Sequence, residues 1–294
     1  MDKKQTRDCP ICGYNKSLNT FPYITNFNNI NFYYLKCGRC FSVFVNQIPN
    51  KETFALMYAK DVYHDCDYDA EIGGTYQESV QLLQSYAHSG TTVLDYGCGL
   101  GAFLKELSAN DFIPFGVEFD VDAADFASKN SSCEVWTVDD FYSLSTNKRF
   151  DIIHLGDVLE HLPEPTNTIN EILEKLKPGG ILFVEGPLEI NPSPVYWSIM
   201  IFGWIKRILR PRFVANDPPH HLFRVDAPQQ LAFFSNYIGT DLNLEYWRVY
   251  ETGWPYAGGS IIKRIISSIA ILIGGKCLFG AEFGNRFQAI FTKK

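Results

Sequence analysis

Two cysteine pairs, a histidine pair and an acid ahead of a glycine turn are the residues of this 294-residue chain whose types and spacing suit chemistry. Cys9-Pro-Ile-Cys12 and Cys37-Gly-Arg-Cys40 are C-x-x-C pairs separated by 24 residues. Each pair makes a tight knuckle presenting two thiolates, and four thiolates close a tetrahedral shell around Zn²⁺ with no open position. The metal expected at Cys9, Cys12, Cys37 and Cys40 is therefore structural. One pair alone would also suit a redox motif, but two at this spacing point to zinc. Asp217-Pro-Pro-His220-His221 offers imidazoles, which titrate near neutral pH and suit taking a proton from a hydroxyl. In residues 93–104, reading V-L-D-Y-G-C-G-L-G-A-F-L, a carboxylate (Asp95) precedes Gly97, Gly99 and Gly101.

These residues need elements to hold them. Residues 91–94 are a short apolar, β-branched run, read as a buried strand ending in Asp95, and residues 103–107 begin a helix. A glycine turn between strand and helix brings bare backbone and free N–H groups to a ligand. The dinucleotide fingerprint, G-x-G-x-x-G, needs no acid within it, because pyrophosphate is an anion. An acid at the strand tip suits a ligand with a positive charge and an ammonium, as in S-adenosylmethionine. Downstream, strand-like and helix-like runs alternate over residues 112–118, 123–129, 134–138, 151–155, 168–176 and 181–185. That alternation implies a parallel sheet with helices on both faces, and ligands in such sheets sit at the carboxyl ends of the strands. Glu118 ends the second strand 23 residues beyond Asp95, where an acid accepts both hydroxyls of a ribose; Asp120 is the fallback. Lys177-Pro-Gly-Gly180 is expected to end a helix and start the fifth strand, and residues 243–251 and 285–292 read as the last two strands.

The glycine turn resembles the first motif of the class I methyltransferases, and Val158-Leu-Glu160-His161-Leu resembles the V-L-E-H-L segment frequent after their fourth strand. The resemblance covers residues 91–185 well and the C-terminal part loosely. It implies a Rossmann-like, seven-stranded α/β sheet whose last two strands are antiparallel, and S-adenosylmethionine as cofactor. By this resemblance Glu118 is the ribose ligand and Asp139 takes the adenine amino group, with Asp140 able to exchange roles and a helix cap as the other reading of the pair. Phe119 and Leu155 join the glycines in the implied cofactor site. The aromatic stretch before the core resembles the Tyr-containing cap of zinc-bearing, sugar-modifying methyltransferases, which implies that Tyr63 or Tyr76 borders the methionine end; aromatic packing of a helical lid is the alternative. The His220–His221 segment matches a histidine-bearing segment of sugar and quinone methyltransferases. His220, after the stiff Pro218-Pro219 step, is preferred as base, with His161 and Glu189 next.

The organisation expected is a zinc-binding module over 1–50, a helical cap over 51–90, and a methyltransferase domain over 91–294 with lid insertions at about 188–218 and 256–284. The zinc is expected to stabilise the module alone, since a module of this size buries little surface and the core has its own interior. The expected activity is O-methylation of a small polar acceptor such as a nucleotide sugar or glycan precursor. A net charge of −7 argues against nucleic acid, yet residues 1–50 carry six Lys or Arg against two Asp, which keeps an RNA methyltransferase as a rival. A non-catalytic cofactor-binding subunit is the other rival. Residues 195–209 are apolar, contain Trp197 and Trp204, and run into Lys206, Arg207, Arg210 and Arg212. They suit an interfacial helix with weak membrane-surface contact or, the reading preferred, a lid or a helix of a homo-oligomer. Residues 261–273 are apolar too, and no run reaches the roughly 20 residues that span a bilayer. Met1–Gln5 leads into polar sequence without a signal-peptide core, so the cytoplasm is the expected location and the eight cysteines read as thiols or metal ligands. Cys66, Cys98, Cys133 and Cys277 read as packing residues.

Overall fold

A computed structural model describes residues 7–58, 73–144, 148–211 and 213–294. The N-terminal module is a meander of β1 (Ser17–Phe27), β2 (Ile30–Cys37) and β3 (Val43–Val45), all antiparallel. Asn28 and Asn29 turn the chain between β1 and β2 at φ +48° and +60°, a conformation that asparagine tolerates. Helix α1 (Lys51–Tyr58) follows, started by Asn50, whose Oδ1 accepts from the Thr53 N–H at 2.8 Å. Helix α2 (Gly73–Gln84) then leads into the core.

The core alternates as the hydrophobic runs require: β4 (Thr92–Tyr96), α3 (Ala102–Ala109), β5 (Ile113–Glu118), α4 (Val121–Ser131), β6 (Glu134–Thr137), α5 (Val138–Ser143), β7 (Phe150–Gly156), α6 (Pro165–Glu174) and β8 (Leu176–Pro187). After it come α7 (Pro194–Leu209), β9 (Ala215–Asn216), β10 (Phe223–Arg224), α8 (Ala227–Ala232), β11 (Leu242–Tyr250), α9 (Ile261–Ile273), β12 (Cys277–Leu278), β13 (Ala281–Glu282) and β14 (Arg286–Lys293). Seven strands form one sheet in the order β11-β14-β8-β7-β4-β5-β6, parallel from β6 to β8 and antiparallel at β14 and β11. The chain leaves β4 toward β5 and β6, then returns to the other side of β4 as β7. That reversal opens a crevice at the carboxyl end of β4, where the glycine turn lies. Leu94, Ile153, Leu155 and Val184 fill the sheet's interior without solvent exposure.

As expected for Lys177–Gly180, the helix before it ends, at Glu174, and the fifth strand of the core starts: β8 begins at Leu176, bridged to Phe150, and takes Gly179 at φ +71° into a register shift. One expectation changes. Cys277 is exposed on β12 and so is no packing residue, whereas Cys98 is buried, Cys133 is half-buried and Cys66 lies outside the described residues.

A second sheet has the order β10-β3-β2-β1-β9. Here β9 runs parallel to β1 and β10 antiparallel to β3, so the loop between β9 and β10, which carries His220 and His221, is tied at both ends to the N-terminal module. Cys9, Ile11, Leu35 and Phe44 of the module lie in one buried cluster with Leu155, Leu159 and Val184 of the core. The module's interior is therefore continuous with the core rather than separate from it. Among the described residues no helix is long and apolar enough to cross a membrane.

Candidate active site and metal centre

The glycine turn is shaped by close packing. Gly97 has φ +87°, and a Cβ there would stand 2.3 Å from Val158 Cγ2; at Gly101, φ +82°, a Cβ would stand 3.0 Å from the Ala127 carbonyl oxygen. The first glycine thus admits the Val158-Leu-Glu-His turn, and the last admits α4, which explains why the two sequence motifs occur together. Glu118, buried at the tip of β5, reaches back across the turn: its Oε2 accepts from the Gly99 N–H at 2.9 Å and its Oε1 from the Phe119 N–H at 2.8 Å. Asp120 is engaged as the N-cap of α4, accepting from the Ala123 N–H at 2.8 Å. Phe119 is half-exposed, its ring 5.6 Å from Phe54 and 6.2 Å from Tyr58 of α1.

Asp139 and Asp140 stand exposed in the first turn of α5, just past the pairing of Thr137 with Glu118. Asp140 is the member engaged in the cap, accepting from the Thr137 hydroxyl at 2.6 Å. Leu155 is fully buried in the main core, so its side chain supports the site from below rather than lining it. Tyr76 packs on Phe103 at 5.7 Å. Burial, with Asp95, Asp157 and Glu185 nearby, pushes its hydroxyl above the usual tyrosine range, which places the ring among the acids at the strand ends. Tyr63 lies outside the described residues.

Asp95 is buried, and its Oδ1 lies 2.7 Å from His154 Nδ1 on the neighbouring strand. His154 Nε2 stands 3.4 Å from Glu185 Oε1, and Glu185 accepts from Ser79 Oγ at 2.9 Å and Gln288 Nε2 at 2.8 Å. Burial opposes a charge on His154, but Asp95 and Glu185 prevail and raise it to about 9. An imidazolium therefore bridges two carboxylates across β4, β7 and β8. Asp95, expected to face a ligand's ammonium, is held by this internal cation. The sequence carries no sign of this pair: His154 lies in an apolar run and meets Asp95 only through the register of β4 and β7.

Beyond β7 lies a second polar cluster. Asp157, at φ +53°, pairs with Arg286 at 2.7 Å. The turn Leu159–His161 follows, and the Leu222 N–H donates to the Glu160 carbonyl at 2.7 Å, docking the histidine loop on it. His161 Nδ1 lies 2.8 Å from the His220 carbonyl oxygen and 2.9 Å from Tyr58 Oη, whose hydroxyl also donates to that carbonyl at 2.8 Å. A carbonyl only accepts, so His161 carries its proton on Nδ1 and leaves Nε2 with a lone pair. Burial and the neighbouring His221 push His161 down to about 3, and it stays neutral.

His221 Nδ1 lies 2.9 Å from Glu189 Oε2, which also faces Arg224 Nε at 3.4 Å. Against the effect of burial, Arg224 and His221 hold Glu189 down to about 2, while burial pushes Glu160 up to about 8. Burial also opposes charge on His221, yet Glu189 raises it above the ordinary 6.5. Nitrogen and oxygen atoms of Glu160, His161 and His221 lie within 4.8 Å of one another. One carboxyl is thus kept protonated and another ionised around an oriented imidazole, an arrangement suited to moving a proton. The structure brings both predicted histidines to the cluster in different parts: His220 through its carbonyl, His221 through its ring. Tyr58, Glu160 and Arg224 went unassigned in the sequence, because Tyr58 and Arg224 arrive from distant elements and Glu160 reads as part of a packing motif.

In the module, Cys9 Sγ lies 3.6 Å from Cys40 Sγ, and Cys12 Sγ lies 3.6 Å from Cys37 Sγ. All four sulfurs fall within 4.8 Å of one another. Thiolates about 2.3 Å from a zinc ion stand about 3.8 Å apart at the corners of a tetrahedron, so the set fits such an ion. The Arg39 N–H adds a bond to Cys37 Sγ at 3.3 Å, of the kind that holds a thiolate knuckle in shape.

Residues 68–224 match a protein family described as "Methyltransferase domain". Similar proteins include the ubiquinone biosynthesis O-methyltransferases of Glaesserella parasuis serovar 5, 31% identical over 124 residues that make up 39% of this chain and 51% of that protein, and of Coxiella burnetii, 32% identical over 107 residues, 35% of this chain and 46% of that protein. The chain spans about half the length of these relatives. Among solved structures, magnesium protoporphyrin IX methyltransferase from Synechocystis PCC 6803 with bound SAH superposes with a TM-score of 0.50 at 12% identity, covering 76% of this chain and 83% of that one, a likeness of fold. The sugar acceptor expected from the sequence has no counterpart in the names of these relatives.

Proposed function

The chain belongs to the methyltransferase-domain family and is an S-adenosylmethionine-dependent methyltransferase, and we propose that it methylates a hydroxyl oxygen with His221 as the base. The observation that carries this reading is the Glu189–His221 pair, 2.9 Å long, seated on the Val158–His161 turn that packs into Gly97. S-adenosylmethionine supplies an electrophilic methyl group on a sulfonium. The chain's residues do the rest. Glu118 and the glycine turn hold the ribose, with Asp139 at the adenine end and Tyr76 near the methionine end. Glu189 fixes Nδ1 of His221 and leaves Nε2 to take the acceptor's proton as its oxygen gains the methyl. Glu160, protonated near neutral pH, donates a hydrogen bond to the acceptor. The relatives' O-methyltransferase names support the choice of oxygen. Cys9, Cys12, Cys37 and Cys40 hold a structural zinc.

The test is S-adenosylhomocysteine release with a panel of catechols, phenols and nucleotide sugars. His221→Ala should lower turnover by about 10²- to 10⁴-fold with S-adenosylhomocysteine affinity kept, while His220→Ala, whose backbone carbonyl makes the essential contacts, should lose less than about 10-fold. An imidazole must be neutral to accept a proton, so kcat/KM should rise with pH through a pKa above the ordinary 6.5, and Glu189→Gln should move that limb to lower pH. Near-normal turnover of His221→Ala would place the base elsewhere.

A further inference from the structure

Helices α7 and α9 pack side by side through Val195, Ile199, Ile266 and Ala270, and turn their other apolar residues outward. On α7, Ile201 is 60% exposed, Trp204 57% and Ile208 59%; on α9, Ile262 is 68% exposed, Ile265 55% and Ile269 49%. An exposed surface of this breadth is unusual for a folded protein unless something covers it. Its charge says what. Residues 190–216 and 252–281, which carry the two helices, hold seven Lys or Arg and none of the chain's 33 Asp and Glu. In a chain of net charge −7, these two segments are purely cationic. Lys206 and Arg207 close the last turn of α7, and Lys263 and Arg264 sit in the first turn of α9. Aliphatic residues flanked by tryptophan and basic side chains, with no acid, are complementary to an anionic lipid surface: the chains accept the apolar face and the headgroups meet the cations. With α7 16 residues long and α9 13, neither crosses a bilayer, so they lie in its surface.

We propose that the α7–α9 face docks the protein on anionic membranes. The face begins beside the proposed active site: Ser193 caps α7 four residues after Glu189, and Tyr196 in its first turn lies within the electrostatic reach of Arg224. The docking itself does not depend on what reaction the site performs, and its test uses no turnover.

The experiment is co-sedimentation of the full chain with vesicles of phosphatidylcholine alone or with phosphatidylglycerol at one part in four. Binding should be strong to the anionic vesicles, weak to the neutral ones, and should fall as salt rises. Ile201→Glu with Ile265→Glu should abolish sedimentation, and Lys206→Glu should weaken it by more than the about five-fold expected for losing one cation. These side chains are exposed, so melting temperature and S-adenosylhomocysteine binding should hold. Equal binding to neutral and anionic vesicles, or none to either, overturns the proposal. So does a stable dimer in sedimentation equilibrium that Ile201→Glu dissociates, which would show that a second copy covers the face.

Discussion

Replacing His154 by glutamine tests whether the buried Asp95–His154–Glu185 bridge holds the crevice together. In the wild type the folded-state value of about 9 lies above the ordinary 6.5. A raised value means the folded state holds the proton more tightly than the unfolded chain. The stabilisation is therefore complete below pH 6.5 and disappears as pH rises through 9. The gap is worth on the order of 3 kcal/mol, most of which is still present at pH 7. The glutamine variant removes the cation and leaves the buried Asp95 and Glu185 carboxylates without it, a loss of about 3–5 kcal/mol. Urea unfolding between pH 6 and 9 reads both effects. The wild type should lose stability as pH rises across that interval, whereas the variant should be weaker at pH 7 and its stability should change far less between pH 6 and 9. Adding Glu185→Gln should recover part of the loss. A variant within about 1 kcal/mol of wild type at pH 7, with the wild-type slope unchanged, would show that the bridge carries no such charge.

Two further outcomes follow from the packing. Gly97→Ala should cost S-adenosylhomocysteine affinity by more than about 10-fold and lower the melting temperature, since its Cβ meets Val158 Cγ2 at 2.3 Å in a left-handed backbone; calorimetry and thermal melts of the variant check this, and Val158→Ala in the same chain should recover part of the loss. Elemental analysis should find one zinc per chain, and chelation should leave S-adenosylhomocysteine affinity within about two-fold while turnover falls steeply, because the strands that hold the histidine loop pair with the metal-bound module.

The large sheet was legible in the sequence because its strands and helices are long enough to show a period. Residues 181–185 lie inside β8, and residues 261–273 coincide with α9. The order of the candidate cofactor residues was legible for a second reason: Asp95, the glycines, Glu118 and Asp139 follow one another at or just past strand ends, so order along the chain maps onto position along the crevice. What stayed hidden was held by contacts between strands or distant segments. His154 lies in an apolar run and acquires its role only when β4 and β7 align. β9 and β10 have two residues each, too few to show any alternation, yet they decide where the histidine loop sits. Tyr58 reaches the His220 carbonyl across 162 residues of chain. The preference for His220 rested on the stiffness of Pro218-Pro219, a local argument; Glu189, which orients His221, belongs to another segment.

The N-terminal module also has a part in holding the histidine loop. A module that merely accompanied the core would keep its sheet edges free. Here both edges are used: β1 takes β9 and β3 takes β10, while Arg7 of the same module donates to the Pro163 carbonyl just beyond the Leu159–His161 turn at 3.2 Å. The Thr166 hydroxyl donates to the Pro10 carbonyl at 3.3 Å, inside the first cysteine knuckle. The strands of the cysteine-bearing module thus brace, from two sides, the loop bearing His221 and the turn bearing Glu160 and His161. An imidazole positioned for proton transfer must be held against the loss of freedom that a surface loop otherwise enjoys. Under the proposed function, a zinc ion on Cys9, Cys12, Cys37 and Cys40 would supply that rigidity to a short meander and leave the large sheet to hold the cofactor.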